Sequence, residues 1–207
     1  MRRPGLIILA AGGSSRMGEP KQLLPWGDST LLRHACNTAC HTGCAPVVLV
    51  LGCAAEPCRR TCEDLPLTIV ENPEWAQGLG SSLAAGVRAL LATDPATTGA
   101  LIMLADQPAV SPALLELLIA QWEPPAWPIA AVQYGGDGGV PALFDRSYFP
   151  ELLGLREDRG ARALIARERF RVALMEGGSC LLDVDTPSAY RQHQTGRVAS
   201  STGDFMD

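Results

Sequence analysis

Leu6-Ile7-Ile8-Leu9-Ala10 is an unbroken apolar run that gives way to glycine, the pattern of a strand covered on both faces. Polar residues then interrupt it until Ser29 and Thr30, either of which can cap a helix predicted to run to about Cys44. Pro46 introduces a second apolar run, Val47 to Leu51, which completes one βαβ unit. Further along, Thr68-Ile69-Val70 reads as a strand and Ser81 to Ala92 as a helix. Ala100 to Leu104 reads as another strand, and Ser111 to Trp122 as a helix capped by Ser111 with Pro112 in its first turn. This alternation selects an α/β fold, a doubly wound and mainly parallel sheet with helices on both faces.

After Glu123 the periodicity loosens. Pro124-Pro125, Pro128 and the run Gly135 to Gly139 mark loops. Ile129 to Gln133 and Val140 to Phe144 suit strands, while Ala161 to Glu168 and Pro187 to Gln194 suit helices. The last residues, 198–207, are small, polar and aperiodic, as in a flexible tail. The expected organisation is one domain over 1–197, with a nucleotide-binding half to about residue 122 and an acceptor-side half over about 123–197.

Composition narrows the function classes. At 207 residues, 47% hydrophobic and 19% charged, the chain suits one globular domain and lies far from the signature of disorder. A net charge of -5 gives no general attraction to nucleic acid or to an anionic membrane, so neither is expected as a partner and phosphate binding has to be local. The Met1-Arg2-Arg3 start resembles a signal-peptide n-region, but the apolar run behind it is too short, and no run approaches the ~18 residues that span a bilayer. A cytoplasmic protein is expected. Seven cysteines then argue for packing, metal or redox roles rather than for disulfides. Cys36, Cys40 and Cys44 recur at helical spacing, but paired CxxC knuckles are missing, and a packed ridge of small residues explains the spacing better than a metal does.

The segment Leu9-Ala10-Ala11-Gly12-Gly13-Ser14-Ser15-Arg16-Met17-Gly18-Glu19-Pro20-Lys21 carries the clearest chemistry. Glycines after a strand let backbone N–H groups approach phosphate oxygens, and Arg16 and Lys21 add the charge that a triphosphate requires. The Gly13-x4-Gly18 spacing begins like a Walker A loop, yet Glu19 and Pro20 stand where Lys and Ser/Thr belong. The G-x-G-x-x-G fingerprint fails on its intervals, although a looser dinucleotide site stays open. Asp106 follows the apolar strand at the sheet edge where α/β proteins place ligands, and a carboxylate there is suited to Mg2+.

Leu9 to Leu24 closely resembles the signature of the molybdenum cofactor nucleotidyltransferases, and within them the cytidylyltransferase branch. Further matches are Asn72-Pro73, Gly78-Leu79-Gly80-Ser81-Ser82-Leu83, Leu104-Ala105-Asp106-Gln107-Pro108, Gly139-Val140-Pro141 and Asp183-Val184-Asp185-Thr186-Pro187. The resemblance covers most of the chain. It implies a Rossmann-like, GT-A-like nucleotidyltransferase fold, CTP as donor, molybdopterin-bound molybdenum as acceptor and pyrophosphate as leaving group. It also implies a molybdenum hydroxylase or its maturation factor as recipient of the product.

On this reading Leu9, Ala10, Ala11, Gly12, Gly13, Ser14, Arg16, Lys21, Asn72, Gly78, Ser81 and Ser82 bind the nucleotide. Arg16, Lys21 and Asp106 are catalytic, and Asp106 with Asp185 faces the metal, although Asp185 reads equally well as a helix N-cap. Ser81 and Ser82 likewise suit a cap, a ligand contact or both. Gly139, Pro141, Arg159 and Arg162 are the acceptor-side candidates, the arginines also reading as an ordinary charged helix start. Asn72 is expected near the base, where an amide suits cytosine. Two alternatives stay open: transfer to another phosphorylated acceptor such as a sugar phosphate, and a redox module binding NAD(P)H on the same loop.

Overall fold

A computed structural model describes residues 3–14, 17–156, 160–177 and 183–192. Its centre is a seven-stranded sheet of order β5-β4-β1-β6-β8-β7-β9. The strands are β1 (Pro4–Ala10), β4 (Val47–Leu51), β5 (Thr68–Glu71), β6 (Gly99–Leu104), β7 (Ile129–Tyr134), β8 (Asp137–Asp145) and β9 (Val172–Glu176). A two-stranded hairpin, β2 (Pro25–Trp26) with β3 (Ser29–Thr30), stands apart from it. All neighbouring pairs in the large sheet are parallel except those of β8, which runs against both β6 and β7.

The apolar runs are continuous because each strand feeds two cores. Leu6, Ile8 and Ala10 pack on one face with Leu32, Ala35 and Cys36 of α1 (Leu31–Cys40) and with Leu115 and Leu118 of α4 (Pro112–Gln121). Ile7 and Leu9 point to the other face, against Leu83, Val87 and Leu90 of α3 (Leu79–Thr93) and Leu152 of α5 (Phe149–Gly154). Period-two alternation along a strand sends neighbours to opposite layers, so both layers demand apolar residues. The chain leaves β1 on the α1 side and reaches β6 through α3 on the opposite side. That reversal of winding opens a crevice at the carboxyl ends of β1 and β6.

Several boundaries differ from the sequence expectation. α1 is capped by Thr30, whose hydroxyl accepts from Arg33 N at 3.2 Å, and it ends at Cys40, four residues short of Cys44. Thr42 Oγ1 donates to the Ala39 carbonyl at 2.7 Å and Gly43 follows, so a side chain takes over one of the helix-end acceptors. α3 begins at Leu79 rather than Ser81, with Gly78 as the flanking residue at φ 102° and no side-chain cap. Most of the expected glycine loop is strand: Gly135 and Gly136 form the tight hairpin at φ 56° and 112°, and β8 starts at Asp137. A Cβ on Gly138 would lie 2.5 Å from Ile165, and one on Gly139 2.8 Å from the Tyr134 ring, so these glycines serve close packing.

α2 (Ala55–Arg60), α5 and β9 carry no expectation from the sequence. α6 (Ala161–Arg167) agrees within a residue with its expected range, and the last described segment is helical over 187–192. The expected tail, 198–207, lies outside the described residues. Among the described residues no helix is long and apolar enough to cross a membrane.

Candidate active site

The loop after β1 lines a cavity of about 310 Å3 in the crevice. Leu9, Ala10, Ala11, Gly12 and Gly13 form one wall, Trp75, Gly78, Leu79 and Ser82 another, and Lys21 with Asp106 the polar end. A Cβ on Gly12 would meet no protein atom within 4 Å, whereas one on Gly13 would come to 3.1 Å from the Trp75 ring. Gly13 thus lets the loop pack closely against Trp75, while the space beside Gly12 stands open. Arg16 lies outside the described residues.

Lys21 stands at the start of a single 3-10 turn, Lys21–Leu23, which carries its side chain back under the loop. Its ammonium bonds to Asp106 Oδ2 and, at 2.8 Å, to Asp185 Oδ1. Burial acts to lower the Lys21 pKa, but the charge of Asp106 and the hydrogen bonds to Asp106 and Asp185 outweigh it and hold the ammonium above its ordinary range. Asp106 Oδ1 is buried and has no hydrogen-bond partner among the described residues.

Asp185 reaches this point because its neighbour is anchored. Val184 N donates to the Asp106 carbonyl at 2.9 Å, and the fully buried Val184 side chain packs with Leu24, Trp26 and Leu31. The expected cap at Ser111 is made, its Oγ accepting from Leu114 N at 3.2 Å. The capping alternative for Asp185 falls instead to Thr186, whose Oγ1 accepts from Ala189 N at 3.2 Å.

Asn72 is placed differently from the expected base edge. It is 3% exposed, behind the wall of the cavity. Its Nδ2 donates to Ser81 Oγ at 2.9 Å and Ser82 Oγ at 3.0 Å, and its Oδ1 accepts from Glu74 N at 3.1 Å. The amide thus fixes the first turn of α3 to the end of β5. Ser81, also buried, lies 2.9 Å from the carbonyls of Glu74 and Gly78, while Ser82 lines the cavity. Ser14 is used within the loop, accepting from Lys21 N at 3.0 Å.

A second cavity of about 260 Å3 adjoins the first and shares Leu79 and Leu104 with it. Gly139, Val140 and Arg162 line it, Pro141 is buried beside them, and Arg159 lies outside the described residues. Its polar wall was not expected from the sequence. Gln107 Nε2 donates to Tyr134 Oη at 2.9 Å and to Asp183 Oδ1 at 3.0 Å, while Tyr134 donates to the Val140 carbonyl. Burial, followed by the charge of Asp106, holds the Asp183 carboxyl above its usual range. Gln22 and Trp75 are further residues that sequence reasoning passed over, being uncharged and outside any spacing rule. The Asp-Gln-Pro motif was a pointer to Gln107, but nothing in it distinguishes a contact from a spacer.

The cysteines form no metal centre among the described residues: no group of three or more His, Cys, Asp or Glu side chains is arranged to hold an ion. Cys36 and Cys62 pair by an S–H···S contact of 3.7 Å in the core, which agrees with a packing role.

Comparison with known proteins places this geometry. Residues 6–172 match the model of the MobA-like NTP transferase domain. The chain is 31% identical to the nicotine blue oxidoreductase of Paenarthrobacter nicotinovorans over 87% of its length and 91% of that protein. It is 28% identical to the molybdenum cofactor cytidylyltransferase of Escherichia coli K12, over 89% and 92% of the two chains. The crystal structure of Rv0371C from Mycobacterium tuberculosis H37Rv in complex with manganese superposes with a TM-score of 0.73 at 34% identity, covering 92% of this chain and 97% of that one. With the matching model spanning both the glycine-rich loop and the strands of the second cavity, the chain belongs to the MobA-like NTP transferase family.

Proposed function

We propose that the protein transfers CMP from CTP to a molybdopterin-type acceptor with release of pyrophosphate. The observation that carries this is the convergence of Lys21, Asp106 and Asp185 at the polar end of a cavity walled by the glycine-rich loop, with a second cavity alongside. One cavity suits the nucleotide and the other the acceptor, whose phosphate oxygen then attacks the α-phosphorus in line. The nucleophile is already ionised near neutral pH, so alignment and charge neutralisation suffice and no general base is required.

The donor set fits Mg2+. Two carboxylates already share one cation, and the unpartnered Asp106 Oδ1 is a buried acceptor with capacity to spare. Mg2+ commonly takes one or two carboxylates and completes its shell with waters and substrate phosphates, consistent with the lack of a larger cluster among the described residues. Bound there, it would supply charge neutralisation and a template for the phosphates. The manganese complex of the mycobacterial relative supports a divalent ion.

The expected base preference follows from the relative named as a cytidylyltransferase and from the resemblance of the first loop to that branch. Asn72 adds no base contact to this support, because its amide is taken up by Ser81, Ser82 and Glu74. A pyrophosphate-release assay crossing four nucleoside triphosphates with molybdenum-loaded molybdopterin tests the proposal. At least tenfold higher kcat/KM for CTP than for GTP is expected, the equivalent of one unmet buried partner at ~1 to 3 kcal/mol. Equal values or a preference for GTP would refute it.

A second reading, a redox module using NAD(P)H, draws support from the relative named as an oxidoreductase. The paired carboxylates beside Lys21 speak against it, because a dinucleotide requires no metal-facing acid there. Hydride transfer that survives chelation of divalent ions would favour it.

A further inference from the structure

Gln22 follows Lys21 in the same 3-10 turn, yet its side chain turns inward and is 3% exposed. Its Nε2 donates to the carbonyls of Ala10 at 3.0 Å and Gly12 at 2.8 Å, so both amide hydrogens are taken by backbone. Its Oε1 accepts from Ser14 Oγ at 3.3 Å, and the same hydroxyl accepts from Lys21 N at 3.0 Å. Ser14 is held at φ 52°, a left-handed conformation that a non-glycine residue adopts only where its surroundings enforce it. One neutral side chain therefore ties together the two ends of the glycine segment and the turn bearing Lys21.

The consequence lies in the peptide planes. In a trans peptide unit the C=O and the following N–H point in opposite directions. Carbonyls of Ala10 and Gly12 drawn towards Gln22 aim the N–H groups of Ala11 and Gly13 the other way. Ala11, Gly12 and Gly13 line the first cavity together with Gln22, and among the described residues no hydrogen bond takes up the Gly13 N–H. Resting on the nucleotide reading above, we propose that Gln22 is a positioning residue: by holding these two carbonyls it presets the loop so that its N–H groups face the triphosphate. Preset donors bind an anion without first having to reorganise. A neutral amide suits the task, since it supplies two donors to carbonyls and adds no charge beside Lys21.

The test uses the full-length protein and two variants. Gln22→Met keeps the volume and removes both donors. Gln22→Glu is isosteric, but when ionised it presents an oxygen to two carbonyls, and only when protonated does it restore one donor. Binding of Mg2+·CTP is measured by titration calorimetry without acceptor, and kcat/KM for CTP between pH 6 and 9. Gln22→Met is expected to weaken binding at least tenfold while its Tm stays within a few degrees of wild type. The ratio of Gln22→Glu to wild-type kcat/KM is expected to fall at least tenfold as pH rises across that range. A folded Gln22→Met that binds CTP as tightly as wild type overturns the clamp, as does a Gln22→Glu ratio that is flat with pH. Should Gln22→Met fail to fold, the Gln22→Glu ratio decides. A wild-type protein that binds none of the four nucleoside triphosphates overturns both this proposal and the nucleotide reading beneath it.

Discussion

Lys21 joins carboxylates that lie 85 and 164 positions further along the chain, and its charge is what allows Asp106 and Asp185 to approach each other. Lys21→Ala is expected to lower pyrophosphate release by ~10^2 to 10^3, the loss typical of one preorganised charge at a reacting phosphate, measured at saturating CTP. Retention of half the wild-type turnover would remove Lys21 from the mechanism. Asp106→Ala should abolish transfer with little effect on Tm, while Asp106→Asn recovers part of the activity when Mg2+ is raised, because an amide oxygen still coordinates a hard cation. The two charges were legible in the sequence because they follow a buried strand and a glycine run. Gln22, Trp75 and Gln107 were not: an uncharged side chain reveals its role only through the atoms it meets, and those come from residues 8 to 76 positions away.

β1, β4 and β6 could be read from periodicity because strands buried on two faces must be wholly apolar. Other elements hid for local reasons. Gly138 and Gly139 signal a loop in sequence, but they belong to a strand that α6 and Tyr134 approach too closely for any Cβ. α2 carries Pro57 and α5 carries Pro150, residues tolerated only near the start of so short a helix. At α1 the structure departs from the sequence pattern at the C-terminal end alone. The Thr30 cap was legible, and Thr30→Ala should cost ~1 kcal/mol in urea unfolding while leaving kcat unchanged. An unchanged unfolding midpoint would show that the hydroxyl contributes nothing to the helix start.

Across the whole molecule, among the described residues, Cys36, Cys44, Cys58 and Cys62 are buried core residues, and this gives an alkaline limit to stability. Burial pushes the Cys44 thiol up to about 12 and the Cys58 thiol up to about 11, from an ordinary 9.0. The unfolded chain then ionises first. Above pH 9 it binds fewer protons than the native state, so stability present below pH 9 is lost as pH rises towards these raised values. Thermal unfolding followed by circular dichroism should show Tm falling above pH 9, and a Cys44→Ala, Cys58→Ala double variant should show a shallower fall. Equal slopes for the two proteins would place the alkaline limit elsewhere.

The reversal of β8 has a consequence for descent. Because β8 runs against its neighbours, its first residues lie on the same rim of the sheet as the last residues of β1 and β6. The two cavities thus open at one rim, yet separate stretches of chain line them: the loop after β1 in the first, Tyr134 of β7 with Gly139 and Val140 of β8 in the second. Mutations that reshape the second leave the loop intact. Under the proposed function a gene lineage can then exchange one acceptor for another while keeping its hold on the nucleotide, so divergence in this family should accumulate between residues 129 and 145 faster than between 9 and 24.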